Sequence, residues 1–123
     1  MNEEVEGVAH RNEVYLVGRV SGEPEERELP SGDLIVAMRL VVRRPPSKSS
    51  KQAPGKSPVI DTIDCTAWLA APRRAMLGLA AGDTVEVTGA VHRRFWKAGG
   101  GLASRYEVEV VRLKRVAKAQ LSA

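Results

Sequence analysis

Apolar and polar residues alternate with a period of two over five stretches of this chain, the signature of half-buried strands. Residues 12–20 (NEVYLVGRV) set Val14, Leu16, Gly18 and Val20 against Tyr15, Val17 and Arg19. Residues 34–43 (LIVAMRLVVR) set Leu34, Val36, Met38, Leu40 and Val42 against Ile35, Ala37, Arg39, Val41 and Arg43. Residues 59–68 (VIDTIDCTAW) carry Ile63, Cys65 and Ala67 on one phase and Thr62, Asp64, Thr66 and Trp68 on the other. Residues 83–96 (DTVEVTGAVHRRFW) put Val85, Val87, Gly89 and Val91 inward and Glu86, Thr88, Ala90, His92, Arg94 and Trp96 outward. Residues 104–116 form the fifth strand, with Tyr106, Val108 and Val110 opposing Glu107, Glu109 and Val111.

The gaps between these stretches are as informative. Residues 21–33 hold Gly22-Glu23-Pro24 and Pro30-Ser31-Gly32 and predict a loop with a short extended piece at Arg27–Leu29. Ala70-Ala71-Pro72 opens a short helix, with Met76, Leu79 and Ala80 at helical spacing and Gly82 as its stop. Gly99-Gly100-Gly101 closes a hairpin between the fourth and fifth strands. Residues 44–58 (RPPSKSSKQAPGKSP) have no period; rich in proline, serine and lysine, they predict a long loop outside the core. The order is three strands, one helix and two strands, which predicts an all-β OB-fold: a five-stranded Greek-key barrel with its helix between strands three and four. The domain spans residues 12–116, between an arm at 1–11 and a tail at 117–123.

Charge changes this picture. The 123 residues carry a net charge of +4, and the signs are segregated. No acid lies between Asp33 and Asp61, where Arg39, Arg43, Arg44, Lys48, Lys51 and Lys56 occur. None lies between Glu86 and Glu107, where Arg93, Arg94, Lys97 and Arg105 occur. Segregation of this kind points to a polyanionic partner for the basic zones. Trp68 and Trp96 both end their strands on the more polar phase. There they would offer stacking surfaces beside fixed cations, as single-strand binders require. The plainer reading packs Trp96 under the glycine turn and leaves the arginines solvated. Two stacked bases supply on the order of 2–6 kcal/mol, while micromolar affinity needs roughly 8 kcal/mol. Phosphate neutralisation therefore has to supply the rest.

Other chemistries find little support. Asp61 and Asp64, three apart on a strand, face opposite ways and do not share a metal. His10 and His92 are far apart in sequence and, with the single Cys65, form no zinc pattern. No phosphate-binding loop motif follows the glycines. No catalytic residue, metal or cofactor is expected. The lone cysteine excludes an internal disulfide and fits a reducing cytoplasm. The longest apolar run, at residues 34–38, is too short to cross a bilayer.

Several segments together resemble the bacterial single-stranded DNA-binding proteins: NEVYLVGRVSGEPEER, SGDLIVAMRLVVRR, IDCTAWLAAPRRAMLGLAAGDTVEVTGAVHRRFW and SRYEVEV. The resemblance implies an OB barrel that binds and protects single-stranded DNA without sequence preference in replication, repair or recombination. It implies a nucleoid-associated protein and a homotetramer, or a dimer, joined through first strands. Trp96 and Trp68 fall where the family stacks bases. Thr62 and the Arg44-Pro45 region stand where it has further aromatics, so charge is expected to matter more here. The family's acidic C-terminal tip has no counterpart in RVAKAQLSA, so recruitment of replication enzymes through such a tip is not expected. The resulting expectation has bases on Trp96 and Trp68. Phosphates meet Arg39, Arg43, Arg44, Arg94 and Lys97, and Lys48, Lys51 and Lys56 form a clamp. A primosome-type OB adaptor acting through protein contacts is the alternative from another class, and RNA binding a third.

Overall fold

In a computed structural model of the chain, residues 7–45 and 59–120 are described. Five strands and one helix follow in the expected order: β1 (Val14–Glu28), β2 (Leu34–Arg43), β3 (Ile60–Ala67), α1 (Ala70–Leu77), β4 (Thr84–Ala98) and β5 (Gly101–Ala117). The strands close into a barrel in the order β1-β2-β3-β5-β4. All pairings are antiparallel except β3 with β5, which is parallel and limited to Cys65 opposite Val108 and Thr66 opposite Glu109. A parallel pair needs a crossover rather than a turn; α1 and β4 supply it. This topology, with the helix between β3 and β4, is the OB-fold.

The inner phases of the strands make the core. Val20, Val36, Met38, Leu40, Cys65, Ala67, Val85, Val87, Val108 and Val110 are buried, and Met76 of α1 joins them from below. Burial pushes the Cys65 thiol up to about 12, so it stays protonated and packs as a small apolar group.

Two boundaries and one set of side chains depart from the alternation pattern. β1 does not stop at Val20. It continues to Glu28 through a bulge between Ser21 and Glu25 that absorbs Pro24, and Glu25–Glu28 then pair with Ala37–Leu34. The turn residues at 22–24 therefore bend the strand without ending it, and the predicted loop shrinks to the turn between Leu29 and Asp33. The helix ends at Gly78, whose N–H bonds the Ala75 carbonyl, four residues before the predicted stop at Gly82. Val91 is 44% exposed and Tyr106 63% exposed, although both lie on nominally inner phases, whereas Glu107 is buried. The cause is that β4 and β5 outrun the barrel. They pair without interruption from Gly89–Val110 to Ala98–Gly101, and above the short β3–β5 contact, from His92–Glu107 onward, they form a two-stranded arm. Its turn, Gly99-Gly100, has both φ angles positive (50° and 88°), the geometry that two-residue hairpin loops take and glycine tolerates.

The base of the barrel is tied by Asp83. Its buried carboxylate accepts the Ala80 and Ala119 N–H groups, both at 2.8 Å, and faces Arg115 Nη1 at 3.6 Å. The two backbone donors, and then Arg115, hold this carboxyl below its ordinary value. A carboxyl lowered on folding contributes stability above its unfolded pKa, about 3.9, and loses it as pH falls through the folded value. Urea midpoints should therefore fall below about pH 4, and Asp83→Asn should shrink that acid-dependent loss; an unaltered pH profile in the variant would remove Asp83 from this role.

Candidate nucleic-acid interface

On a two-stranded arm, residues directly opposite share a face. Arg94 opposite Arg105 and Trp96 opposite Ala103 therefore lie on one side. That side looks toward the β1–β2 turn and the end of β3. Between them runs an open groove of about 760 Å³. Arg27, Leu29, Pro30 and Ser31 form one wall, Trp68 the floor's end, and Arg94, Phe95, Trp96, Lys97 and Arg105 the other wall. Two indoles far apart in sequence thus meet in one groove. Its lining has four cationic side chains, Arg27, Arg94, Lys97 and Arg105, and no carboxylate.

Trp96 is 39% exposed and Trp68 half-buried, so both indoles line the groove surface and neither sits in the core. The guanidinium carbons of Arg94 and Arg105 lie 5.5 and 5.6 Å from the Trp96 ring centroid, within cation–π range. Two arginines directly opposite repel each other. Buried Glu107 offsets this: its Oε1 accepts from Arg94 Nε at 3.3 Å and stands 4.0 Å from Arg105 Nε, while Asp64 Oδ2 is 3.8 Å from Arg105 Nη1. Arg105 Nε and Glu107 Oε2 are buried without a hydrogen-bond partner among the described residues.

A second, smaller groove of about 290 Å³ continues along the bulge of β1, sharing Arg27, Arg94 and Arg105 with the first. Its character differs. Glu23, Glu25, Asp64 and Glu107 balance its arginines, and Arg39 Nε is paired with Asp64 at 3.4 Å.

The expected site residues therefore divide. Trp68, Trp96, Arg94 and Lys97 converge on the larger groove, and Arg39 adjoins it in the smaller one. Arg43 and Arg44 stand at the far end of β2, outside both linings. Arg44 is engaged by Asp61 through two hydrogen bonds, at 2.7 and 3.2 Å, which hold the Asp61 carboxyl below its ordinary value. Lys48, Lys51 and Lys56 lie outside the described residues. Arg27, Phe95 and Arg105 belong to the groove but are missing from the expected set. Arg105 is within reach of the sequence: counting outward from the glycine turn pairs it with Arg94. Arg27 is not singled out, because turn residues make 21–33 look like a loop with only a short extended piece at Arg27–Leu29.

The chain matches the family model described as "Single-strand binding protein family" over residues 11–116. Among solved structures it is similar to a Plasmodium falciparum SSB in complex with ssDNA, at 20% identity and a TM-score of 0.72, covering 94% of this chain and 99% of that one. It is also similar to a small single-stranded DNA-binding protein from Streptomyces coelicolor, at 22% identity and a TM-score of 0.56, covering 84% and 92% of the two chains. No curated protein matches it. At these identities the structural likeness speaks for the fold, and the family model for descent. Having the barrel, the β4–β5 arm and a family match over most of its length, the chain belongs to the single-strand binding protein family.

Proposed function

We propose that this protein binds single-stranded DNA without sequence preference and performs no catalysis. The observation that carries the reading is the larger groove, where Trp68 and Trp96 face a common space lined by four cations and no acid. Indole faces stack on any base, and guanidinium or ammonium groups meet any phosphate, so neither contact selects sequence. Family membership points the same way, as does the Plasmodium falciparum SSB, a structural neighbour in complex with ssDNA. Protection of exposed strands during replication, repair or recombination, in the cytoplasm and at the nucleoid, is the setting that follows. No helix among the described residues is long and apolar enough to cross a membrane.

Assembly into a homotetramer or dimer through β1 forms part of the proposal. Residues 14–18 pair with β4 on one side and, among the described residues, with no strand on the other. Tyr15 and Val17 point outward from this edge, 62% and 45% exposed. An open strand edge is a template for a second copy.

The test is a fluorescence titration. Trp68 and Trp96 are the only tryptophans, so saturating oligo-dT should quench the intrinsic emission. The same titration at rising salt should give a negative slope of up to roughly −3, about −0.7 for each phosphate neutralised, the full value requiring all four groove cations to reach phosphates and Arg27, Arg94 and Arg105 to leave their carboxylate neighbours. Unchanged emission at saturation would remove the stacking role, and a flat salt dependence would remove the phosphate role. Competition by oligo-U against oligo-dT measures preference between RNA and DNA.

A further inference from the structure

The arm has a second face. Register places Arg93 opposite Tyr106, Phe95 opposite Ser104 and Lys97 opposite Leu102 on the side away from Glu107. The Arg93 guanidinium lies 5.1 Å from the Phe95 ring centroid and 5.2 Å from that of Tyr106. It is held there by hydrogen bonds from Nε and Nη2 to Ser104 Oγ, at 3.2 and 3.0 Å. The rings are 54% and 63% exposed. On the groove side, Arg94 is committed to Glu107 and Arg105 lies close to Asp64 and Glu107. Arg93 has no carboxylate partner among the described residues, and none of its cross-strand neighbours on this face is acidic.

We propose that this back face is a second contact for the same single strand, with one base on Tyr106 and a phosphate at Arg93. The inference rests on the single-strand reading of the groove. A polyanion is the occupant that the charge favours: a positioned guanidinium with no carboxylate partner among the described residues, beside Lys97, lying over two rings that are each more than half exposed. A strand leaving the groove along Trp96 and Lys97 reaches the hairpin turn, and continuing around it brings the strand to Phe95 and Tyr106. Phe95 lines the groove as well, so Tyr106, which does not, is the diagnostic residue.

The experiment compares Tyr106→Ala with Trp96→Ala, in the full chain, against two oligo-dT lengths. One is about 6 nucleotides, within the span of a single barrel, and the other about 32. Tyr106→Ala should weaken the long oligonucleotide about fivefold or more and leave the short one unchanged, while Tyr106→Phe should restore wild-type affinity, because stacking needs the ring and not the hydroxyl. Tyr106→Ala without effect on either length, with Trp96→Ala weakening both, overturns the back-face contact and leaves the groove reading standing. Neither variant having an effect overturns both. Equal losses at the two lengths place Tyr106 in the first contact and overturn a second one. A change in sedimentation of the free protein with unaltered DNA affinity assigns the face to protein contact and likewise overturns the proposal.

Discussion

Trp96→Ala is expected to weaken oligo-dT binding by about 1–3 kcal/mol, a factor of roughly 5–150. The ring stands where the arm faces the β1–β2 turn, and two guanidiniums lie against it. Its removal takes away a stacking face and also the surface on which Arg94 and Arg105 are ordered. Glu107 and Asp64 would then hold those arginines with nothing directing them toward a ligand. The substitution lies on the arm, beyond the core that closes the barrel, so the melting temperature should hardly move. Trp96→Phe should fall between, since a smaller ring still stacks. An affinity within twofold of wild type in the alanine variant, with folding intact, would sink the stacking role. Trp68 is the useful comparison: half-buried at the end of β3, it should show a smaller binding loss and a larger stability loss than Trp96.

Gly89→Ala should lower stability by about 3 kcal/mol, the upper part of the range for overpacking a closed site, and the melting temperature by roughly 10 °C. Gly89 is buried where β4 crosses β5, and a Cβ there would run into the carbonyl oxygen of Glu109, with the Val110 Cα only 3.2 Å away. Those obstacles are backbone, so no rotamer change relieves them. Register shifts at this point: Thr88 faces Arg112 and Gly89 faces Val110, leaving Val111 unpaired as a bulge. The bulge falls where β4 leaves β1 at Gly89, just short of the β5–β3 contact at Val108 and Glu109 beyond which the arm runs free. A wild-type melting temperature in Gly89→Ala would show that the two strands separate there without cost. If the strands are forced apart, the arm should also tilt, so DNA affinity measured below the transition should fall with stability.

Much of the fold is legible from local patterning. β2 runs over the same residues, 34–43, as its alternation predicts, because one phase is apolar along most of its length and turn residues precede it while prolines follow. β3 and the start of α1 are legible for the same reason, with Pro72 marking the first helical turn. The full length of β1 is not, because Gly22 and Pro24 resemble terminators. Whether such residues end a strand or bulge it depends on a neighbour being in place to resume pairing, and that neighbour is the far strand, β2. The helix end differs from its predicted place because Leu79 and Ala80 keep helical spacing, yet the chain has to turn at Gly78 for Asp83 to reach the Ala80 N–H.

The candidate site divides along the same line. Residue type and local charge decided that this chain would present aromatic and basic groups at the ends of its strands, since an alternating strand that ends in tryptophan beside arginine has few other places to put the ring. Only tertiary structure decided which of them meet. Barrel closure brings Trp68 to Trp96 across 28 positions, takes Arg44 out of the groove into a pair with Asp61, and brings in Arg27 from the β1–β2 hairpin. Periodicity records which way a side chain points from its own backbone. It does not record where another strand's backbone ends: β4 runs past β1 at Gly89 and β5 past β3 at Val108, which leaves Val91 and Tyr106 exposed while Glu107 is enclosed.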